Sequence, residues 1–202
     1  MTIRAIVFDI GDVLEINAET GWKAKWEARF SLNFSDIFTR MNNSGLDGKL
    51  GTCSEAEWLE GLRNFSGMDQ LQTKAFMHDF WTWYVGEPNT ALINYFASLH
   101  SNYQTAILSN SFLGARAREQ ERYGFENMTD LIVYSHEVGL AKPDPQIYAL
   151  TCERLGVQPA EVIFLDDLEP NIVGARAFGM HAVLFQNNAQ AITEIQDYLA
   201  HV

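Results

Sequence analysis

The sequence contains few of the features that mark secreted or membrane-spanning proteins. Its two cysteines, Cys53 and Cys152, form neither a disulfide framework nor a metal-ligand pattern, so we expect both to be reduced thiols in a cytoplasmic protein. No apolar run is long enough to cross a bilayer. The opening residues lead directly into an apolar segment, so no signal peptide is visible.

Basic residues are also scarce, since 14 lysines and arginines stand against 26 acidic residues, for a net charge of -12. This excess argues against nucleic acid and anionic membranes as partners. It would also repel an anionic substrate at long range, so a phosphate site would need local positive charge. The chain has 202 residues, of which 47% are hydrophobic, which leaves room for one sizeable domain or a domain with a small insert.

The first apolar segment places a carboxylate where a sheet could present it. The run Ala5-Ile6-Val7-Phe8 is followed by Asp9 and then by a turn that contains Gly11. Such a run predicts a buried parallel strand. Ligands bind at the carboxyl ends of the strands in open α/β sheets, and a carboxylate there can be a nucleophile or a metal ligand. Taken alone, Asp9 could equally be a simple turn residue.

Three later segments add complementary chemistry. A second apolar run ends at Ser109-Asn110, a lysine begins the turn Lys142-Pro143-Asp144-Pro145, and a third apolar run ends in Asp166-Asp167. Together with Asp9 they supply a carboxylate, a hydroxyl, a cation and an acid pair. Carboxylate oxygens are the ligands that Mg²⁺ prefers in proteins.

These motifs, in this order, resemble those of the haloacid dehalogenase-like (HAD) superfamily of phosphoryl-transfer enzymes. The resemblance runs from Ala5 to about Phe185, with a gap between Leu14 and about Glu87. Its most specific parts are the Lys-Pro-Asp-Pro turn and the Asp166-Asp167 pair with Asn171 and Gly179 downstream. The motifs look most like those of the subgroup that includes sugar-phosphate phosphatases and the phosphatase domain of soluble epoxide hydrolases.

The resemblance implies a Mg²⁺-dependent phosphatase that acts on a small phosphorylated metabolite, such as a sugar phosphate. Asp9 would be the nucleophile and form an aspartyl-phosphate that water then cleaves. Ser109 and the backbone N–H of Asn110 would bind phosphoryl oxygens, and Lys142 would offset the charge of the nucleophile and the phosphoryl group.

The same resemblance implies a metal site at the end of the first and third apolar runs. Asp9, the Gly11 carbonyl and Asp167 would hold Mg²⁺, with Asp166 as a second-rank ligand or a supporting acid. Asn171 lies where many relatives carry another acid.

One position departs from the family pattern. Most phosphatases of this superfamily carry a second aspartate two residues after the nucleophile, as general acid for the leaving oxygen, and here that position is Gly11. Asp12 follows one residue later, where its side chain would point another way. Either Asp12 or a water replaces the missing acid, or the substrate has an acidic leaving group, such as the anomeric oxygen of a sugar 1-phosphate.

Alternating strand and helix patterns predict an α/β fold, a Rossmann-like parallel sheet with helices on both faces. Between 15 and 87 the sequence shows helical patterns and no strong strand. The resemblance implies a core domain of residues 1–14 and 88–202 and a small all-helical cap domain, 15–87, inserted after the first strand. The tryptophans lie in this insert, and Trp22 and Trp26 are candidates for lining a substrate pocket.

Two other functions stay open at this point. A 2-haloacid dehalogenase would use Asp9, Ser109 and Lys142 in the same way, but a carbon–halogen bond needs no Mg²⁺, so the paired acids argue against it. A catalytically weak or silent HAD-like binding protein would account for the missing acid. We expect a monomer or a homodimer.

Overall fold

The strands of the core form a parallel sheet. The computed structural model describes residues 2–201, so Met1 and Val202 of the expected core domain lie outside the described residues. Within this part of the chain the strands are β1 (Ala5–Phe8), β2 (Glu15–Ile16), β3 (Glu87–Pro88), β4 (Gln104–Ser109), β5 (Leu131–Tyr134), β6 (Val162–Asp166) and β7 (His181–Leu184). Five of them pair in the order β5-β4-β1-β6-β7, with every pairing parallel.

Ten α-helices accompany the strands in the described residues. They are α1 (Trp22–Phe30), α2 (Phe34–Asn43), α3 (Glu55–Ser66), α4 (Gln70–Val85), α5 (Thr90–Leu99), α6 (Ala115–Tyr123), α7 (Ser135–Val138), α8 (Pro145–Leu155), α9 (Glu169–Phe178) and α10 (Asn188–His201). Short 3-10 turns lie at Phe125–Asn127 and Pro159–Glu161. None of the described helices has the length and apolar character needed to cross a membrane.

Helices cover both faces of the sheet because successive strand residues point to opposite sides. In β1, Ile6 and Phe8 pack in one hydrophobic cluster with residues of α5 and α10. Ala5 and Val7 pack in a second cluster with residues of α8 and α9. All four residues are fully buried, which explains why β1 reads as a continuous apolar run. The predicted Rossmann-like α/β fold is confirmed.

Helices α1 to α4 form a separate layer, residues 17–86, which we call the helical insert. Its core is aromatic and includes Trp22, Trp26, Phe34, Trp58 and Phe76. These rings contact one another in edge-on and tilted pairs, an arrangement that adds to the free energy of burial. The tryptophans of this cluster therefore act mainly as packing residues.

The expectation of no strand at the edges of the insert was wrong. β2 and β3 form a two-stranded antiparallel sheet in which Glu15 lies opposite Pro88 and Ile16 opposite Glu87. Each strand has only two residues, too few to show a period-two pattern in the sequence. The pair closes the base of the insert against the chain that leaves β1.

Side-chain caps mark the starts of α3 and α8. Ser54 and Glu57 form a reciprocal capping box at the start of α3, and Asp144 caps α8, whose first residue is Pro145. Helix α6 begins at Ala115, and Phe112, just before it, packs among the aromatic residues of the insert. Cys53 and Cys152 are both free thiols, as expected.

Candidate active site

The predicted site residues meet at one edge of the sheet. Asp9 directly follows β1, the central strand, while Ser109 is the last residue of β4 and Asp166 the last residue of β6. β1 pairs with both neighbours, so the three carboxyl ends lie side by side. Asp9 is 7% exposed, Ser109 3% and Asp166 0%, so all three polar side chains are withdrawn from bulk water.

Lys142 joins these strand ends from the loop before α8. Its Nζ lies 2.8 Å from Asp9 Oδ1 and 2.6 Å from Asp166 Oδ2, and it also donates a hydrogen bond of 2.8 Å to the carbonyl oxygen of Leu108. Burial by itself would lower the pKa of Lys142, but the two carboxylates outweigh it and the pKa is raised. The lysine therefore stays charged between Asp9 and Asp166.

Both carboxylate oxygens of Asp166 already accept hydrogen bonds. Besides Lys142, its carboxylate accepts hydrogen bonds from the Leu168 backbone N–H (2.8 Å) and from Asn171 Nδ2, at 2.9 Å to Oδ1 and 3.1 Å to Oδ2. Asn171 is 3% exposed and lies in the first turn of α9. These contacts hold the Asp166 carboxylate in place against Lys142.

The side chain of Asn110 has a role that the sequence did not indicate. Its Nδ2 donates to the Lys142 carbonyl oxygen and its Oδ1 accepts from the Lys142 backbone N–H, both at 2.8 Å. The amide thus matches both polar groups of the Lys142 backbone and ties the end of β4 to the lysine loop. From the sequence, only the backbone N–H of Asn110 is expected to act, as a donor to the phosphate.

Three acids form a cluster suited to a hard cation. Single carboxylate oxygens of Asp9, Asp166 and Asp167 all lie within 4.8 Å of one another. Burial raises the pKa of Asp9 to about 7 although Lys142 opposes the shift, and burial followed by the charge of Asp166 raises the pKa of Asp167 to about 6. One lysine does not balance three adjacent acids, so the donor set fits a divalent cation with oxygen ligands.

A cavity of about 660 Å³ lies above this cluster, between the sheet and the helical insert. Asp9, Ser109, Asn110 and Asp167 lie on its sheet side, and Trp22 lies on the insert side. Trp26 does not line it in the described structure. That residue is 1% exposed and donates its indole N–H to Asp79 at 2.8 Å. Of the two tryptophan candidates, only Trp22 is placed to touch a bound molecule.

Gly11 and Asp12 follow Asp9 at the floor of the cavity, and both line it. A Cβ built on Gly11 meets nothing within 4 Å, so the space beside its backbone is open to a ligand. Asp12 adopts a positive φ of 54° and is exposed. Its Oδ1 accepts from the Asn17 backbone N–H at 3.1 Å and its Oδ2 from Asn17 Nδ2 at 3.3 Å. Asp12 is thus near the site but already engaged.

The arginines of α6 do not line this cavity. Arg116 forms ion pairs with Glu126 and Glu137, both at 2.6 Å. The other two pairs on this helix join Arg118 to Glu55 and Arg122 to Glu87. The arginines of α6 therefore form ion pairs on a charged face of the helix, away from the cavity.

A comparison with family models decides the family. The model described as a haloacid dehalogenase-like hydrolase matches residues 3–179. The chain belongs to the haloacid dehalogenase-like hydrolases. The curated relatives of this HAD-like hydrolase include the pig bifunctional epoxide hydrolase 2, which is 28% identical over 97% of the chain, and the mouse acyl-CoA dehydrogenase family member 10, 27% identical over 97%. The chain spans only 39% and 19% of the lengths of these two proteins.

A third relative matches this HAD-like hydrolase along most of both chains. It is the D-ribitol-5-phosphate phosphatase of Bacteroides thetaiotaomicron, 25% identical over 93% of the chain and 94% of its own length. Solved structures share the fold. A HAD family enzyme from the same species, in complex with magnesium and inorganic phosphate, superposes with a TM-score of 0.78 at 21% identity over 94% of this chain and 98% of its own.

Two further structures show how broadly the fold is shared. A HAD-like hydrolase from Porphyromonas gingivalis gives a TM-score of 0.79 at 22% identity, with full coverage of both chains. A 2-haloacid dehalogenase from Pseudomonas syringae gives 0.71 at 16% identity, covering 98% of this chain and 99% of its own. Because phosphatases and dehalogenases share this fold, only the residues of the site can distinguish the two reactions.

Proposed function

We propose that this HAD-like hydrolase is a Mg²⁺-dependent phosphatase that hydrolyses a small phosphorylated metabolite through an aspartyl-phosphate on Asp9. The observation that carries the proposal is the cluster of Asp9, Asp166 and Asp167, in which Asp9 and Asp166 contact the charged Nζ of Lys142, with Ser109 at the next strand end. A buried lysine and a divalent cation together supply the positive charge that phosphoryl transfer requires.

Asp9, Asp167 and the carbonyl oxygen of Gly11 would hold the metal. When bound, Mg²⁺ neutralises the phosphate oxygens and lowers the pKa of Asp9, so that its carboxylate is ionised at neutral pH. Asp166 contributes chiefly by anchoring Lys142, because its oxygens already accept hydrogen bonds from Leu168 and Asn171.

The chain's own groups then divide the reaction between them. A carboxylate oxygen of Asp9 forms a bond to phosphorus while the bond to the substrate's alcohol oxygen breaks. The Ser109 hydroxyl and the Asn110 backbone N–H donate hydrogen bonds to the phosphoryl oxygens, and Lys142 offsets the charge. Water then cleaves the phosphorus–oxygen bond to Asp9 and releases phosphate.

The departing alcohol oxygen needs a proton, and Gly11 has none to give. Asp12 or a water would supply it. Asp12 is exposed and already accepts two hydrogen bonds from Asn17, which leaves a water as the alternative donor. Full activity in an Asp12→Asn variant would assign the step to water.

We also propose that residues 15–87 act as a cap domain over a core of residues 1–14 and 88–202. The cavity between the helical insert and the sheet supports this division, since a substrate bound at Asp9 would be enclosed by both. Closure of such a layer excludes water and positions the substrate, and the insert would then choose the substrate.

The proposal is tested by measuring phosphate release from sugar 1-phosphates, sugar 6-phosphates, nucleotides and p-nitrophenyl phosphate. Each reaction is run with Mg²⁺ and with EDTA, beside a chloride-release assay on 2-chloropropionate. Phosphate release that requires Mg²⁺ supports the phosphatase. Metal-independent chloride release without phosphate release would identify a dehalogenase, and no turnover on any compound would favour a binding protein.

A further inference from the structure

One loop of the helical insert is fastened to the core beside the expected phosphate donors. It consists of residues 47–51, between α2 and α3, and we call it the contact loop. Two of its residues, Gly48 and Lys49, line the cavity. The Gly48 carbonyl oxygen accepts a hydrogen bond of 3.0 Å from the Leu113 backbone N–H. The insert therefore meets the chain just after β4, the strand that ends in Ser109.

A buried hydroxyl joins the two sides of this contact. Ser135 is 0% exposed and follows β5, whose last residue, Tyr134, pairs with Ser109. Its Oγ accepts a hydrogen bond from the Ser111 backbone N–H at 2.9 Å and donates one to the Lys49 carbonyl oxygen at 2.7 Å. The Ser111 carbonyl oxygen is a longer alternative acceptor, at 3.3 Å. Because a hydroxyl is both donor and acceptor, Ser135 links the end of β4 to the contact loop.

Close packing reinforces the same contact. The Phe112 ring is 8% exposed and lies edge-on to Trp58 of the insert, with the ring centroids 4.8 Å apart. A Cβ built on Gly48 would come within 2.3 Å of Phe112 Cε2, and one on Gly51 within 1.8 Å of the His136 carbonyl oxygen. The contact loop therefore lies directly against the core at two points, and a shift on one side would displace the other.

The chain held by Ser135 leads straight to the phosphate donors. Ser111 follows Asn110, so the peptide group that Ser135 binds is the one that leaves Asn110. The side chain of Asn110 is held separately, by the Lys142 backbone. Together these contacts fix the backbone around the Asn110 N–H. Donors that are in place before the substrate arrives stabilise a transition state without having to reorganise.

We propose that Ser135 is a positioning residue that holds Ser109 and Asn110 in their phosphate-binding geometry and ties that geometry to the contact loop of the insert. Ser135 is not among the described residues that line the cavity, so it acts through Ser111 and not by touching the substrate. The insert then affects the phosphate end of the site as well as the alcohol portion of the substrate. This inference rests on the proposed phosphatase function.

Ser135→Ala tests the inference beside a matched control, Ser66→Ala. The buried Ser66 Oγ also bonds two backbone groups, the Leu62 carbonyl oxygen at 2.5 Å and the Met68 N–H at 3.3 Å, and Ser66 is not among the described residues that line the cavity. We expect kcat/KM of Ser135→Ala to fall by about tenfold or more. The factor should be the same for a sugar 6-phosphate and p-nitrophenyl phosphate, which share only the phosphate. Ser66→Ala should retain the wild-type kcat/KM.

Gly48→Ala tests the link from the side of the insert. Its Cβ would press on the Phe112 ring, whereas in the control Gly61→Ala the Cβ would meet Leu46 Cδ1 at 2.4 Å. We expect Gly48→Ala to lower kcat/KM about threefold or more on both substrates, and Gly61→Ala to leave it unchanged. Ser135→Cys, whose thiol is a weaker donor and acceptor, should lie between the wild type and Ser135→Ala. Gly48→Ala and Ser135→Cys carry the test if Ser135→Ala does not fold.

A binding measurement separates this inference from the proposed function. Calorimetry of inorganic phosphate with Mg²⁺ should give a Kd about tenfold higher for Ser135→Ala than for the wild type, and an unchanged Kd for Ser66→Ala. An equal loss in Ser66→Ala, a loss confined to the sugar phosphate, or an unchanged phosphate Kd in Ser135→Ala would each overturn the inference. If the wild type releases no phosphate from any compound, the proposed function fails, and the phosphate Kd alone decides the role of Ser135. A wild type that neither turns over nor binds phosphate would overturn both.

Discussion

Replacing Lys142 with methionine should destabilise the folded protein strongly when no metal is present. The ammonium group is fully buried and makes three contacts of 2.6–2.8 Å, to Asp9, Asp166 and the Leu108 carbonyl oxygen. Methionine preserves much of the length and volume of the side chain but removes the charge. Two buried carboxylates would then face each other without a counter-charge.

The size of the effect follows from what is left behind. Removing one partner of a buried ion pair costs about 3–5 kcal/mol, because the remaining charge stays desolvated and unpaired. A matched control is Lys25→Met, since Lys25 contacts Asp79 at 2.7 Å but its side chain is 60% exposed. An exposed pair contributes about 0–1 kcal/mol, so this variant should differ little from the wild type.

The free energy of unfolding should be measured by urea titration in EDTA for the wild type and both variants. We expect Lys142→Met to lose about 3 kcal/mol or more at neutral pH. Burial already raises the pKa of Asp9 above its unfolded value, and loss of the cation that opposes this shift raises that pKa further. Stability linked to such groups is present at low pH and lost as the pH rises, so the deficit should be smaller at about pH 5 than at about pH 8. A deficit below about 1 kcal/mol, or one equal to that of Lys25→Met, would refute the charge balance described here.

Three further predictions concern other parts of the site. Glu15→Gln should become more stable relative to the wild type as the pH rises from about 5.5 to 8, by up to about 1.4 kcal/mol per pH unit. Burial raises the pKa of Glu15 above its unfolded value of 4.5, so the wild type loses stability over this range and the variant does not. An equal difference in the free energy of unfolding at the two pH values would contradict this. Asn110→Ala should lower kcat by about tenfold, because it frees the Lys142 backbone. Steady-state kinetics would check this, with Asn102→Ala in an exposed turn as the control. Gly51→Ala should lower the free energy of unfolding by about 2 kcal/mol or more, because φ is +62° and a Cβ would overlap the His136 carbonyl oxygen. The control Gly45→Ala, with φ +81° and open space around it, should lower it by only about 1 kcal/mol. Equal urea midpoints for the two variants would count against the close approach at Gly51.

The meeting of the main site residues could be predicted from the sequence because it depends on strand ends. β1, β4 and β6 are buried on both faces, so each reads as an apolar run, and the polar residue that ends each run is evident. Parallel neighbours bring those ends to one edge of the sheet. The order of the strands, with β1 at the centre of the sheet, is seen only in the structure.

Contacts between distant loops could not be predicted in this way. The Asn110 amide meets the Lys142 backbone across 32 positions of sequence, and no periodic pattern encodes such a pair. The two-residue strands β2 and β3 were missed because their pairing is set by the closure of the insert. The burial of Glu15 was missed for a related reason. A single acid at the edge of a helical stretch is normally exposed.

The fate of Asp12 also depended on local geometry. Its positive φ and its hydrogen bonds to Asn17 arise from the turn that follows β1, and a sequence pattern gives only its distance from Asp9. Asp12 therefore could be proposed as an acid from sequence, while its engagement with Asn17 required the structure.

The central claim is that Asp9 is the nucleophile of a Mg²⁺-dependent phosphoryl transfer. The most direct test is Mg²⁺-dependent phosphate release by the wild type, Asp9→Asn and the control Asp36→Asn, an exposed residue of α2 that does not line the cavity. The account predicts that Asp9→Asn folds, binds phosphate compounds and loses at least about a thousandfold in kcat, while Asp36→Asn retains the wild-type rate. Wild-type turnover by folded Asp9→Asn would contradict it.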